Sequence, residues 1–137
     1  MWIYTRGWRW NWSQWKKIGK DIEADYEPLK IAGGYDHNFV LAITGEEVEK
    51  VAELTEDTTG RKMEVFTDMP GMQFYTGNFL NGEEKGKGGK AYGKREGVCF
   101  ETQYFPNACN IESFPSSILK AGEEYEHITI YKFSVEK

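Results

Sequence analysis

Short stretches in which apolar and polar side chains alternate are the feature that most restricts how this chain can fold. Residues 47–54 and 61–67 both alternate in this way, and the turn-forming residues 55–60 lie between them. A period of two is typical of a β-strand with one buried face, and two such runs joined by a turn predict a hairpin. No useful length of the chain has the 3.6-residue period of a helix. The sequence therefore predicts an all-β fold, in the form of an antiparallel sandwich.

Three further strands are predicted downstream of this hairpin. A turn ends at Gly71, which is free to take a positive φ, and the aromatic run 72–76 follows it. Residues 81–94 are rich in glycine and lysine and predict an exposed loop, and 97–103 is the next strand. In the last run, 124–135, apolar side chains fall on both faces, so we expect both faces to be covered.

Residues 1–16 differ in composition from the rest of the chain. All five tryptophans lie there, and all 22 acidic residues lie beyond residue 20, although the whole chain has a net charge of only −5. We therefore predict a basic, Trp-rich leader at 1–16 and a main domain at 17–137. Trp and Arg together suit a membrane interface or a nucleic-acid surface. The alternation over 8–12 favours an edge strand instead, so neither a membrane nor a nucleic acid is expected as a partner.

Length and composition exclude several classes of protein. A chain of 137 residues is one domain by size, and it has no apolar stretch long enough to cross a membrane. With two cysteines, Cys99 and Cys109, a disulfide scaffold is not expected, and a reducing compartment, the cytoplasm, fits best. Two histidines make a metal site built from several histidines unexpected. The sequence contains no phosphate loop or dinucleotide fingerprint, so we expect no cofactor and no metal.

Three polar residues stand in aromatic segments that turns delimit. They are Asp36 in GGYDHNF, Gln73 in PGMQFYTG and Glu101 in GVCFETQYFP. A sugar site combines such groups, because carboxylates and amides bind hydroxyls while aromatic rings pack on C–H faces. If Glu101 points inward from its strand, its carboxylate is suited to proton transfer.

Each of these residues also has a purely structural interpretation. Glu101 would face solvent if its strand lay at the edge of a sheet, and Gln73 would equally serve as an exposed strand residue. Asp36 and Asn38 are of the type that forms Asx-turns with the local backbone. The residues taken alone therefore leave both interpretations open.

The same segments resemble the aldose 1-epimerase (galactose mutarotase) family. The similarity covers residues 17–137 in order, and its most specific part is an ETQ-x-x-P core followed by FPS and GEEY. The resemblance implies the large antiparallel β-sandwich, or supersandwich, of that family. It also implies interconversion of the α and β anomers of aldohexoses such as galactose or glucose, so an aldohexose is the expected partner.

Carried over residue by residue, the resemblance implies that Glu101 is the catalytic base and that Asp36 and Gln73 bind the sugar. The family also uses a histidine as general acid on the ring oxygen, and a second histidine and an arginine to bind the sugar. These three lie upstream of every segment matched here. His37 and His127 stand in other motifs, so neither is assigned such a role, and both are expected to be structural.

Two functions follow from this resemblance. The chain is either a fragment of a mutarotase that needs the acid histidine from elsewhere, or a non-catalytic carbohydrate-binding domain or inactive remnant. A partial sandwich also leaves a sheet edge and an apolar face open. We therefore expect the leader to pack on the main domain, or self-association or a partner chain to cover that edge.

Overall fold

The computed structural model describes residues 1–5 and 15–136. Its strands are β1 (Trp2–Thr5), β2 (Lys16–Lys17), β3 (Asp36–Val40), β4 (Glu49–Thr55), β5 (Arg61–Thr67), β6 (Gly71–Tyr75), β7 (Cys99–Gln103) and β8 (Thr129–Val135). The described residues form a single α-helix, α1, over Glu27–Ala32. No helix among them has the length and apolar character needed to cross a bilayer. The prediction of an all-β fold is confirmed.

The strands form two antiparallel sheets that enclose one core. The larger sheet has the order β2-β1-β4-β5-β8, and the smaller has the order β3-β6-β7. The buried side chains come from both sheets and from the segment around α1; they are Ile3, Ile22, Leu29, Tyr35, Phe39, Leu41, Val51, Ala52, Leu54, Val65, Met72, Phe74 and Phe100. The two sheets therefore pack face to face, as a sandwich requires.

The predicted hairpin is formed by β4 and β5, which pair from Glu49 opposite Thr67 to Thr55 opposite Lys62. In the turn, the Glu56 carboxylate accepts hydrogen bonds from the backbone amides of Thr58 and Thr59, at 2.8 and 2.7 Å. The turn ends at Gly60, whose φ of +69° is in the left-handed region. A Cβ at this position would lie 1.9 Å from the carbonyl oxygen of Glu136. The prediction of a hairpin here is confirmed.

The first strand belongs to the larger sheet. β1 pairs with β4 along its whole length, and Ile3 is completely buried. The start of the Trp-rich segment is therefore built into the core. The predicted strand over 8–12 lies outside the described residues.

Gly71, although free to take a positive φ, is not among the glycines with positive φ; it is the first residue of β6. The expectation that both faces of the last run are covered is wrong. Only Thr129–Val135 of the run 124–135 is a strand, and its faces are not covered, since Ile130 is 48% and Phe133 is 73% exposed. β8 is the last strand of its sheet, and this position explains the exposure. The aromatic run 72–76, in contrast, is covered, because Met72 and Phe74 are fully buried.

A network of ion pairs between lysine and glutamate side chains extends across the outer face of the larger sheet. Lys50 donates to the carboxylates of Glu53 and Glu64, the latter at 2.6 Å, and Lys62 lies 2.7 Å from Glu53. The network reaches β8 through Lys132, whose ammonium is 3.1 Å from Glu64. Each carboxylate here therefore faces at least one ammonium group.

We expect Phe74→Ala to lower the free energy of unfolding by about 3–5 kcal/mol. Phe74 is fully buried and its ring packs against those of Tyr35, Phe39 and Phe100 at centroid distances of 5.4, 6.3 and 5.1 Å. The measurement is urea unfolding, and the matched control is Phe79→Ala, because Phe79 is 69% exposed. Equal losses in the two variants would contradict this account of the core.

The stabilisation that Glu64 contributes should depend on pH. Hydrogen bonds from Lys50 and then Lys132 lower the pKa of Glu64 from 4.5 to about 2. A carboxylate with a depressed pKa in the folded state stabilises fully above its unfolded pKa, and this stabilisation is lost as pH falls towards the folded value. We expect Glu64→Gln to be destabilised at pH 7 and to approach the parent protein in stability between about pH 5 and pH 2. Urea unfolding at several pH values, with exposed Glu83→Gln as control, measures this. A difference between parent and Glu64→Gln that does not change with pH would be inconsistent with it.

Candidate functional site

The outer face of the smaller sheet is polar, whereas its inner face is apolar. Residues opposite one another on neighbouring strands point to the same face of a sheet. Three cross-strand rows form the outer face: Asp36–Tyr75–Cys99, Asn38–Gln73–Glu101 and Val40–Gly71–Gln103. The three predicted site residues therefore lie on one face, each on a different strand.

Asp36 and Gln73 are in direct contact on this face. The side-chain amide of Gln73 donates to Oδ1 of Asp36 at 2.7 Å. The other polar atom of this side chain, Oε1, is buried and has no hydrogen-bond partner within the described part of the chain. A buried acceptor without a donor is costly, so this atom favours binding a hydroxyl or water.

Glu101 occupies the row of Gln73, on the edge strand of the smaller sheet, and is exposed. The neighbouring Phe100 is 5% exposed and points into the core. Because successive side chains of a strand point to opposite faces, Glu101 faces away from the core. The interpretation in which Glu101 points inward is therefore wrong, and its carboxylate is accessible to a ligand.

The Asx-turn interpretation of Asp36 and Asn38 is also wrong. Both residues lie within β3, where they pair with Tyr75 and Gln73 of β6. Their side chains bond across the sheet, Asp36 to Gln73 and Asn38 to Gln103, at 2.7 and 3.0 Å.

The pair formed by Asn38 and Gln103 extends the polar face beyond the residues that the sequence singled out. Gly71 pairs with Val40 and Gln103, next to this diagonal contact, and a Cβ there would be 2.7 Å from Oδ1 of Asn38 and 2.9 Å from the ring of Phe105. Glycine is therefore required here for close approach. The two-residue period of a strand could have identified both residues from the sequence, since Asn38 and Gln103 each follow a predicted site residue by two positions.

Two groups close to Glu101 are sensitive to its charge. Burial raises the pKa of the Cys99 thiol, and the Glu101 carboxylate raises it further. Burial, followed by Glu101 and Cys99, also raises the pKa of Tyr131, whose hydroxyl donates to the carbonyl oxygen of Phe100 at 2.5 Å. The Glu101 carboxylate therefore adds to burial in disfavouring ionisation of both groups.

Neither histidine belongs to the three cross-strand rows that form the polar face. His37 points to the inner face of β3, and its Nδ1 accepts from the backbone amide of Asp36 at 2.9 Å. Burial lowers the pKa of His37, against smaller opposing effects of Asp36 and the backbone of Pro28. His127 lies beside Asp68, with Nδ1 3.3 Å from its carboxylate. Among the described residues, no three His, Cys, Asp or Glu side chains are grouped as metal ligands would be.

Comparison with known proteins gives a consistent result. The family model for aldose 1-epimerase matches residues 6–132. A galactose mutarotase from Bos taurus is 51% identical over 119 residues, which are 87% of this chain and 33% of that protein. An aldose 1-epimerase from Escherichia coli K12 is 32% identical over 123 residues, 88% of this chain and 35% of that protein. The chain thus spans about a third of the length of the curated relatives it matches.

The fold is also similar to a solved structure. The crystal structure of an aldose epimerase homologue from C. elegans matches with a TM-score of 0.74 and 23% sequence identity. The match covers 93% of this chain and 37% of that chain. The two proteins therefore share the same β-sheet architecture over the matched part.

We expect Gly71→Ala to separate the side chains of Asn38 and Gln103 and to cost about 1–3 kcal/mol in the free energy of unfolding. The added methyl has no room between Asn38 and Phe105. Gly19→Ala is the matched control, since nothing lies within 4 Å of a Cβ there. Urea unfolding, together with the side-chain amide signals of Asn38 and Gln103 by NMR, tests this. Unchanged amide signals in folded Gly71→Ala would refute the role of close approach.

Proposed function

This chain belongs to the aldose 1-epimerase family, and we propose that its polar sheet face is the part of a mutarotase site that binds an aldohexose and carries the base. The observation that carries the proposal is the row of Asn38, Gln73 and Glu101 with Asp36 bonded to Gln73. It combines two carboxylates with amides on three neighbouring strands.

Asp36 and Gln73 are assigned to the sugar hydroxyls. The amide nitrogen of Gln73 is engaged by Asp36, which leaves its buried Oε1 as an acceptor. A sugar hydroxyl donates to such an atom and removes the cost of its burial. Tyr75 stands in the row of Asp36 and stacks on the exposed Phe79, with ring centroids 6.1 Å apart. These rings offer an apolar surface to the C–H face of a sugar.

Glu101 is assigned as the base. In mutarotation the anomeric hydroxyl loses its proton, the bond between C1 and the ring oxygen breaks, and the ring oxygen gains a proton. The open-chain aldehyde rotates about its C1–C2 bond, and closure by the reverse steps gives the other anomer. An accessible carboxylate accepts the first proton, and a second group must supply the proton to the ring oxygen.

That second group is the missing element of the proposal. His37 points to the inner face of the sheet, and both ring nitrogens of His127 face other side chains, Asp68 and the hydroxyl of Tyr104, so neither histidine is assigned as the acid. We propose that this chain binds an aldohexose and, by itself, accelerates mutarotation little or not at all. The activity of the family then needs an acid from another polypeptide segment. A carbohydrate-binding domain without turnover is the second candidate, which the absence of a histidine from the described polar face favours.

A reducing compartment, such as the cytoplasm, is part of the same proposal. Cys99 and Cys109 are both free and exposed. Free exposed thiols are typical of proteins kept in reducing surroundings.

We expect galactose or glucose to bind the isolated chain and Asp36→Asn to weaken that binding at least about tenfold, because a hydrogen bond to a charged acceptor is lost. Titration of the sugar by NMR measures this, and exposed Glu112→Gln is the matched control. Polarimetry of freshly dissolved α-glucose measures turnover. General acid–base help contributes roughly 10²- to 10⁴-fold per group, so the rate should stay near that of the buffer.

Two outcomes would contradict the proposal. Sugar binding that Asp36→Asn and Gln73→Ala leave unchanged would place the sugar elsewhere. A strong acceleration that Glu101→Gln abolishes would mean that this chain holds its own general acid.

A further inference from the structure

The edge strand β8 exposes apolar side chains on both of its faces. Ile130 is 48% exposed on the outer face, and Phe133 and Val135 are 73% and 61% exposed on the face that continues the core. β8 pairs with β5 on one side, and no other described strand pairs with it on the other. A long, apolar and unprotected edge strand is a template for another strand.

The backbone groups at this edge are fixed by the ladder with β5. The amide of Glu136 donates to the carbonyl oxygen of Gly60 at 2.8 Å, so it points towards the body of the sheet. In an antiparallel ladder, the backbone amide and carbonyl groups of successive residues point alternately to one side of the strand and to the other. The amide and carbonyl groups of Tyr131, Phe133 and Val135 therefore point to the open edge.

We propose that β8 pairs antiparallel with β8 of a second copy of this chain, with Ser134 of the two copies meeting at the two-fold axis. Tyr131, Phe133 and Val135 point outward in both copies, so these odd-numbered residues must pair with one another. The two-fold axis therefore passes through a residue position and not between two residues. Centring on Ser134 sets Lys132 opposite Glu136 of the second copy, and Phe133 opposite Val135. With the two-fold axis at Lys132, the two Lys132 ammonium groups would face each other. With the axis at Phe133, Ile130 would face Glu136. Charge complementarity selects the register centred on Ser134.

The charged residues are able to make these new contacts. Lys132 is 62% exposed although it lies near Glu64, and Glu136 is 65% exposed although Lys62 contacts it. Each group therefore keeps a free side towards the edge. Pairing would extend the charge network of the outer face across two sheets, and would cover Phe133 and Val135 with their counterparts. The inference stands independently of sugar binding.

The decisive experiment mixes two charge-reversed variants. Lys132→Glu alone sets carboxylates against carboxylates across the two-fold axis, and Glu136→Lys alone sets ammonium groups against ammonium groups. Each variant should dimerise about tenfold more weakly than the parent chain. An equimolar mixture allows dimers that contain one copy of each variant. In such a mixed dimer, every cross-strand contact between positions 132 and 136 joins opposite charges, so it should recover the parent affinity. Sedimentation equilibrium over a range of concentrations measures all four samples, and Lys87→Glu, an exposed loop substitution, is the control.

The mixture distinguishes weaker contacts across the dimer interface from a loss of contacts within each chain. A loss of the contacts to Glu64 or Lys62 weakens each copy separately and is not repaired by mixing. Phe133→Pro gives a second test, since it removes an outward amide while the bonds to β5 remain; it should abolish dimers and leave the circular dichroism unchanged. A monomeric parent chain, or a mixture no tighter than its components, would overturn the proposal. A monomer that instead binds a separate polypeptide would overturn it as well.

Discussion

The alternation of side chains along β6 is the constraint on which both the core and the candidate site depend. Met72 and Phe74 point inward and are fully buried, so the side chain of Gln73, which lies between them, must point to the opposite face. The free energy gained by burying Phe74 among aromatic rings therefore fixes the position of the Gln73 amide. The placement of the site on β6 therefore follows from the packing of the opposite face of the same strand.

The two sheets are joined near the site by side-chain hydrogen bonds instead of a shared ladder. Thr129 of β8 contacts the hydroxyls of Thr67 and Thr102 at 3.1 and 2.6 Å. This chain of hydroxyls crosses from β5 to β7, so it links the larger sheet to the strand that carries Glu101. Thr129 therefore connects the edge strand β8 to both β5 and the strand that carries Glu101.

Sequence patterns predicted those features that depend on neighbours along the chain. The hairpin of β4 and β5 and the all-β class follow from alternation and turn residues. The orientation of Glu101 and the exposure of Ile130 do not, because they depend on which sheet faces each strand and on which strand ends a sheet. The partner of Asn38, Gln103, is 65 residues away, and only the assembled register brings the two together. For the same reason the close approach at Gly71 could not be distinguished from a turn.

The hydrogen bond from the Tyr131 hydroxyl to the carbonyl oxygen of Phe100 links the edge strand β8 to the candidate site. That carbonyl belongs to the peptide unit immediately before Glu101, so a single phenolic hydroxyl ties the edge strand to the backbone of the candidate base. We expect a substitution in β8 that displaces the Tyr131 ring to alter the backbone next to Glu101 without contacting its carboxylate. The exposed edge strand is thus coupled structurally to the candidate site through one hydrogen bond.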